Sequence, residues 1–504
     1  MTVETSLLPV LACLASLLAI PAIIAFGRRP NLREGVTFAA GAIKLGLVLM
    51  MLPGVLNGTI YEFRFLELVA GVGLEFRVDG LGLLFGIVAA FLWICTSLYA
   101  VGYMRAHHEP NQTRFYAFFA LSLCATLGVA FSGNLLTLYI FYEMLSLSTF
   151  PLVTHNGDKA ARTGGRTYLT YLLGTSVAFV LPALVYCYVK AGGDLRFAAE
   201  GFLRGKVEGG EALILLLALV FGFAKSGMMP FHSWLPNAMV APTPVSALLH
   251  AVAVVKVGVF CVIRVVTGVF GTAFLAELNW ALIISWAAAA TILISSLIAL
   301  TQDNLKRRLA FSTIGQLAYI ILGVSLLTDG AVVGSIMHIA THAVGKITLF
   351  FCAGAIYVAS HKKYVSQLDG LGRRMPWTFA AFLLASLSII GLPPFFGSWS
   401  KWFLFVGTME ADQWAFAVVL IASTLLNIAY LLPIPLRAFT KPLPPGDHGQ
   451  DHDHHGAHDS HEIHGEAPLA CVIPLCVTAG LCFVLFLMPG LFHRLAELML
   501  VVTP

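Results

Sequence analysis

About fourteen stretches of some 18 or more residues run through this chain with almost no charge in them, each long enough to cross the ~30 Å hydrocarbon core of a bilayer as a helix. They fall near 4 to 26, 35 to 56, 80 to 102, 115 to 131, 134 to 153, 166 to 190 and 210 to 228. The remainder fall near 243 to 267, 275 to 301, 307 to 327, 331 to 360, 376 to 409, 412 to 437 and 468 to 491. Only 11% of the 504 residues are charged, against ~25% in a soluble globular protein. The fold class expected is therefore an all-α polytopic membrane protein. The segment "YEFRFLELVAGVGLEFRVDG", 61 to 80, is too charged to span and predicts a hairpin lying over one face. The start, "MTVETSLLPV", shows no basic leader and no small-residue cleavage site, so the first helix is expected to be retained.

Basic residues set the orientation. Numbering the loops in order, the odd ones hold seventeen Lys and Arg, among them Arg105, Arg307 and Arg374. The even loops and the tail hold eight, with Arg264 counted there. Odd loops are expected in the cytoplasm and both termini outside, in a bacterial inner membrane. This bias accounts for the net charge of +4, and no stretch of interleaved aromatic and basic residues points to nucleic acid. The nine cysteines lie in or beside apolar spans without a C-x-x-C pair, as small buried hydrophobes do.

The other five lysines lie inside spans: Lys44, Lys225, Lys256, Lys346 and Lys401. Each costs ~2.5 to 3.5 kcal/mol at the bilayer centre on insertion scales. Lys44 has no polar company and reads either as a snorkelling or structural residue or as one of the functional set. Glu143, in "LYIFYEMLSLSTF", is the one acid well inside a span.

Two of these lysines adjoin helix breakers. "FGFAKSGMMPFHSW" places Lys225 before Pro230, with Gly222 and Gly227 alongside. Proline offers no N–H and crowds the preceding turn, and backbone groups freed in lipid need partners or a hydrated cavity. "LSIIGLPPFFGSWSKWFLF" repeats the device with Pro393, Pro394 and Lys401. Paired interrupted helices in two halves of a chain mark an internally repeated transporter. Between the breaks, His250 and Lys256 share one span, and His338, His342 and Lys346 recur every four residues on one helix face. Three titratable groups on an apolar helix predict a proton or ion path.

These motifs carry a family likeness. "YEMLSLSTFPLV", "FAKSGMMPFHSWLPNAMVAPTPVSALLHA", "LKRRLAFSTIGQLAYI", "HAVGKITLFFCAGAI" and "GLPPFFGSWSKW" occur in order between about 80 and 437. The chain thus resembles the antiporter-like subunits shared by respiratory complex I, Mrp multisubunit cation/proton antiporters and membrane-bound hydrogenases. "ASTLLNIAYLLPIPLRAF" looks most like the D-type Mrp subunit. The resemblance implies fourteen helices, with spans four to eight and nine to thirteen as inverted five-helix repeats and the seventh and twelfth broken. It implies that Glu143 pairs with Lys225, that His250 and Lys256 hold the central axis, that His338, His342 and Lys346 belong to the second half, and that Lys401 ends the path.

The domain organisation expected is 1–79, with two helices and the hairpin; 80–437, the core, with repeats at about 115–271 and 275–437; a histidine-rich cytoplasmic loop, 438–467; and a last helix, 468–504. The loop departs from the family pattern. His452, His454, His455 and His458 could hold Zn²⁺ or Ni²⁺ weakly, although their irregular spacing defines no closed site. No cofactor motif or nucleophile constellation is present. The function expected is proton translocation as the D-type subunit of a Na⁺/H⁺ antiporter, with other subunits, H⁺ and Na⁺ as partners. The alternatives are a proton-pumping subunit of a complex I-like NADH-quinone oxidoreductase or hydrogenase, and a self-sufficient solute symporter.

Overall fold

The computed structural model describes residues 2–443 and 465–500. Among them, eleven helices are long and apolar enough to cross a membrane, or twelve if Val254–Phe270 and Thr272–Leu278, bent by 79°, form one span. The shortfall from the expected count falls at two interrupted segments. One begins with the helix Gly209–Gly222, and the other divides into Pro376–Ile390 and Gly397–Glu410.

Short polar residues start several helices, because an N-cap side chain can accept from a backbone N–H that has no helical partner. Asp79 accepts from Gly82 at 2.9 Å to open Gly80–Ala106, and Asn134 accepts from Thr137 at 2.7 Å to open Leu135–Val153. Asp158 does the same for Lys159–Thr175, which therefore begins earlier than its hydropathy alone predicts and carries Lys159, Arg162 and Arg166 in its first turns.

The expected hairpin is present as β2, Thr59–Val69, antiparallel to β3, Val72–Val78. A strand not foreseen, β1, Thr2–Thr5, pairs parallel with the start of β2, so the first helix begins only at Leu8. The sheet is fastened to the helices by backbone bonds from Arg77 N to Phe131 O and from Gly133 N to Glu75 O. Leu305–Ser325 is the most enclosed span, 94% of its apolar window being buried, whereas Leu8–Ala25 and Pro30–Leu56 are 39% and 33% buried and form the periphery.

Two expectations change. Arg264 is not a loop residue: it ends the helix Val254–Arg264 at 3% exposure and forms a two-pronged ion pair with Asp79 at 2.6 and 2.8 Å. Lys44 does not snorkel. Its ammonium is fully buried, donates to the Leu123 carbonyl at 3.1 Å and faces the Trp93 ring at 5.4 Å.

Candidate proton-path site

The first interruption comes before Lys225 rather than at Pro230. The helix ends at Gly222, Ala224–Ser226 make a single tight 3₁₀ turn, and Gly227 adopts φ +70°, a conformation glycine tolerates where other residues are strained. Pro230 follows through a cis peptide bond. The Ala224 carbonyl closes this turn by accepting from the Gly227 N–H at 3.0 Å, and it also accepts from the Trp234 indole N–H at 3.0 Å.

Gly258 brings the next span against this turn. A Cβ on Gly258 would lie 2.0 Å from Ser226 N and 2.2 Å from Lys225 C, so only a glycine allows the helix bearing Lys256 to approach so closely.

Lys225 is fully buried. Its ammonium donates to the Tyr142 carbonyl at 2.8 Å and to Ser146 Oγ at 2.6 Å. It also lies 3.1 Å from the centre of the Tyr142 ring. Glu143 occupies the next position on that helix, and both its carboxylate oxygens are buried without a hydrogen-bond partner. The direct pairing implied for Glu143 and Lys225 is thus replaced by a carbonyl and a hydroxyl from the flanking residues. The Glu143 carboxylate stays close enough to act on the ammonium through space, while the hydrogen bonds come from Tyr142 and Ser146.

Lys256 follows an irregular turn, where Leu248–Val252 widens to a π-helical turn and Ala253 takes φ −104°, ψ −80°. Its ammonium meets His342 Nδ1. The backbone of His250 lies in the widened turn, and its side chain lies outside the described residues. His342 stacks on His338, with ring centres 5.8 Å apart and planes within 12°. His338 Nδ1 bonds Ser400 Oγ at 2.8 Å, and Thr341 Oγ1 is 3.0 Å from the same oxygen.

Lys346 is fully buried and leaves this line, donating to Ser312 Oγ at 2.6 Å and to the Leu309 carbonyl at 3.4 Å. The Tyr430 hydroxyl donates to Asn427 Oδ1 and lies 3.0 Å from Ser312 Oγ, from which it can accept. A four-residue step drifts by about 40°, so the stripe from His338 to Lys346 turns far enough to serve two neighbours.

Lys401 sits at the second interruption. Pro376–Ile390 ends at Gly391, φ +90°, and Pro393–Pro394 is a cis bond. The Lys401 ammonium reaches back to the Ile390 carbonyl at 3.0 Å and lies 4.9 Å from the centre of the Tyr319 ring. A Cβ at Gly391 would be 2.6 Å from Lys401 Cδ. At each break, therefore, a lysine ammonium takes a freed or helix-borne carbonyl rather than a carboxylate.

The hydroxyl partners Ser146, Ser312, Ser400 and Tyr430 carry no sequence signal of their own. A serine in an apolar helix commonly bonds its own preceding turn, and Ser146 does so as well, at 3.3 Å from the Tyr142 carbonyl. Its spacing from Tyr142 in "YEMLS" is the one local hint. Among the described residues no group of three His, Cys, Asp or Glu could hold a metal ion, and His452, His454, His455 and His458 lie outside them. The nine cysteines are all free, and eight are buried.

Residues 132–427 match a family model described as NADH:quinone oxidoreductase/Mrp antiporter, TM, and residues 68–116 match one described as NADH-Ubiquinone oxidoreductase (complex I), chain 5 N-terminus. The NADH-quinone oxidoreductase subunit N of Desulforudis audaxviator is 32% identical over 87% of this chain and 88% of its own. A probable K(+)/H(+) antiporter subunit of Rhizobium meliloti is 35% identical over 75% of this chain and 38% of its own. A Na(+)/H(+) antiporter subunit of Alkalihalophilus pseudofirmus is 32% identical over 74% and 49%. The chain thus spans most of the first relative and half or less of the other two. A chain of the Mrp complex from Dietzia sp. superposes with a TM-score of 0.85 at 23% identity, over 98% of this chain and 96% of that one. A chain of an archaeal membrane-bound sulfane sulfur reductase superposes at 0.83 and 21% identity, over 98% of each. At those identities the likeness is one of fold.

Proposed function

This chain belongs to the NADH:quinone oxidoreductase/Mrp antiporter family of membrane subunits, and from that premise we propose that it carries protons through a multisubunit complex along its buried lysines and histidines. The observation that carries this reading is the run from Lys256 to His342, His338 and Ser400, in which groups able to take and give a proton succeed one another inside an apolar bundle. Lys225, held by Ser146 and neighboured by Glu143, is the proton store of the first half, and Lys401 is the terminal group of the second. His250 is assigned to the same path beside Lys256, and Lys346 with Ser312 forms a branch of it.

In this reading the two interrupted segments count as crossings. Together with the twelve apolar spans they make fourteen, arranged as two inverted repeats over about 115–271 and 275–437. The basic loops face the cytoplasm. A cysteine introduced at Arg373 should then resist impermeant labelling from the periplasmic side, and reversed labelling would overturn the topology.

The complex we favour is a Na⁺/H⁺ antiporter in which this chain is the D-type component, supported by the "STLLNIAYLLPIPLRAF" motif and by the likeness of fold to the Mrp complex. The near full-length match to an NADH-quinone oxidoreductase component supports the second reading, a proton-pumping subunit driven by redox chemistry elsewhere. Affinity purification from native membranes separates the two. Co-purifying cation/proton antiporter subunits with Na⁺-dependent ΔpH collapse in everted vesicles are expected for the first, and flavin or iron–sulfur subunits with quinone-linked pumping for the second.

A further inference from the structure

A cavity of about 240 Å³ opens at the end of the bundle where basic residues concentrate. Its wall is contributed by the start of the helix leading to Lys256 at Pro242 and Thr243, the start of the Ser312 helix at Asn304 and Lys306, and the far end of the histidine helix, from Ala353 and Tyr357 to Lys362 and Lys363. Glu109 closes the remaining side. Lys306, Lys362 and Lys363 lie in the wall with Glu109, and Lys362 is already engaged.

Among the described residues, the bonds that Lys306 and Lys363 make are to neutral groups. Lys306 spends one N–H on the Ala241 carbonyl at 2.7 Å, and Lys363 lies 4.9 Å from the centre of the Tyr357 ring. Among the described residues neither has a carboxylate within ion-pair distance. Glu109 instead points towards His155, a buried ring 3.8 Å away. A metal cation would meet an excess of like charge here, whereas a tetrahedral oxyanion would find ammonium groups and amide donors on several sides. The volume holds such a group with a few waters, since one water occupies about 30 Å³.

We propose that this cavity binds a phosphate group, supplied by an anionic lipid headgroup or by free phosphate, and that the bound group ties together the ends of the three helices carrying Lys256, Ser312 and His342. Basic pockets between membrane helices take lipid headgroups by this chemistry. The site needs no proton transfer to operate, so it stands independently of the path proposed above.

The test uses the full-length protein with its co-purifying subunits, delipidated in detergent. Inorganic phosphate should raise the unfolding temperature saturably, beyond sodium chloride at equal ionic strength. Phosphatidylglycerol should do so beyond phosphatidylcholine, and native mass spectrometry should show retained phosphatidylglycerol. Lys363→Gln, at an exposed position, should weaken the response several-fold, and Lys306→Gln should abolish it, while Lys306→Arg keeps part of it. A response to lipid alone assigns the headgroup, a response to phosphate alone assigns the free ion, and competition between them assigns either source to one site. An equal response in the wild type and Lys363→Gln, or none to either probe, overturns the proposal. Because Lys363 is exposed, misfolding does not mask that outcome.

Discussion

Lys225 and Tyr142 hold each other by three routes at once. The ammonium donates to the Tyr142 carbonyl at 2.8 Å and lies 3.1 Å from the centre of its ring, and the Lys225 backbone N–H donates to the Tyr142 hydroxyl at 3.2 Å. The lysine at the helix break is thus fixed by a neutral residue. A proton can leave such an ammonium without stranding a bonded carboxylate.

Exchange at Lys225 should follow from that arrangement. Lys225→Ala and Lys225→Arg are both expected to lose proton-coupled transport while the complex assembles, since guanidinium remains protonated and cannot cycle. Ser146→Ala removes a hydrogen bond to a charged group, worth ~1.5 to 3 kcal/mol, and should slow transport by about tenfold or more. Glu143→Ala should slow transport too, and Glu143→Asp less so, because the charge is kept. ΔpH-linked transport and subunit content measured in the same vesicles distinguish these outcomes, and an active Lys225→Arg complex would refute the carrier role.

His342 offers a second test, because a bonding partner and a proton carrier have different requirements. His342→Gln keeps a side chain able to bond the Lys256 ammonium but cannot bind and pass a proton near neutral pH. Transport should fall about tenfold or more with assembly intact. Normal rates in this variant would reduce the histidine to a structural acceptor.

Gly258 separates local propensity from packing. An exposed helical Gly→Ala change stabilises by about 1 kcal/mol. Here the added Cβ would fall 2.0 Å from Ser226 N, and backbone cannot yield as a flexible side chain can. Gly258→Ala should therefore destabilise by ~1 to 3 kcal/mol, read as a lower unfolding temperature of the purified protein.

The buried Arg264–Asp79 pair ties the start of one span to the end of another. Arg264→Met leaves Asp79 without its ion partner and should cost ~3 to 5 kcal/mol. Adding Asp79→Asn removes the stranded charge while keeping a side chain that can cap Gly82 N, and should recover most of that loss. The comparison needs only thermal unfolding of the two variants, and a double variant no better than Arg264→Met would contradict the ion-pair account.

The histidine-rich loop is expected to be dispensable, but its boundary matters. Glu466 accepts from Trp377 N at 2.6 Å and Thr378 N at 3.2 Å, capping Pro376–Ile390 at the start of the second interrupted segment. Deleting 447 to 464 should leave transport in everted vesicles near the wild-type level, whereas Glu466→Ala should cost the ~0.5 to 2 kcal/mol of a lost cap.

From sequence alone come the membrane class, the approximate spans, the hairpin, and the identity of the lysines and histidines, because hydropathy and spacing act over one helix length at a time. The family motifs added the order of the parts. Only the tertiary structure decided what each charge touches: Ser146 and Tyr142 for Lys225, His342 for Lys256, Ser312 for Lys346, the Ile390 carbonyl for Lys401, and Asp79 for Arg264. Most of these partners lie between 34 and 185 residues away along the chain. A hydroxyl or carbonyl in an apolar helix carries no mark of which neighbour it will face, since that depends on helix rotation and on close approaches such as Gly258 against the Lys225 turn. The helix end before Lys225 was hidden for the same reason: Pro230 advertised a break, but the helix stops earlier, at Gly222, and the turn that follows carries Gly227 at positive φ and the Trp234 bond to Ala224.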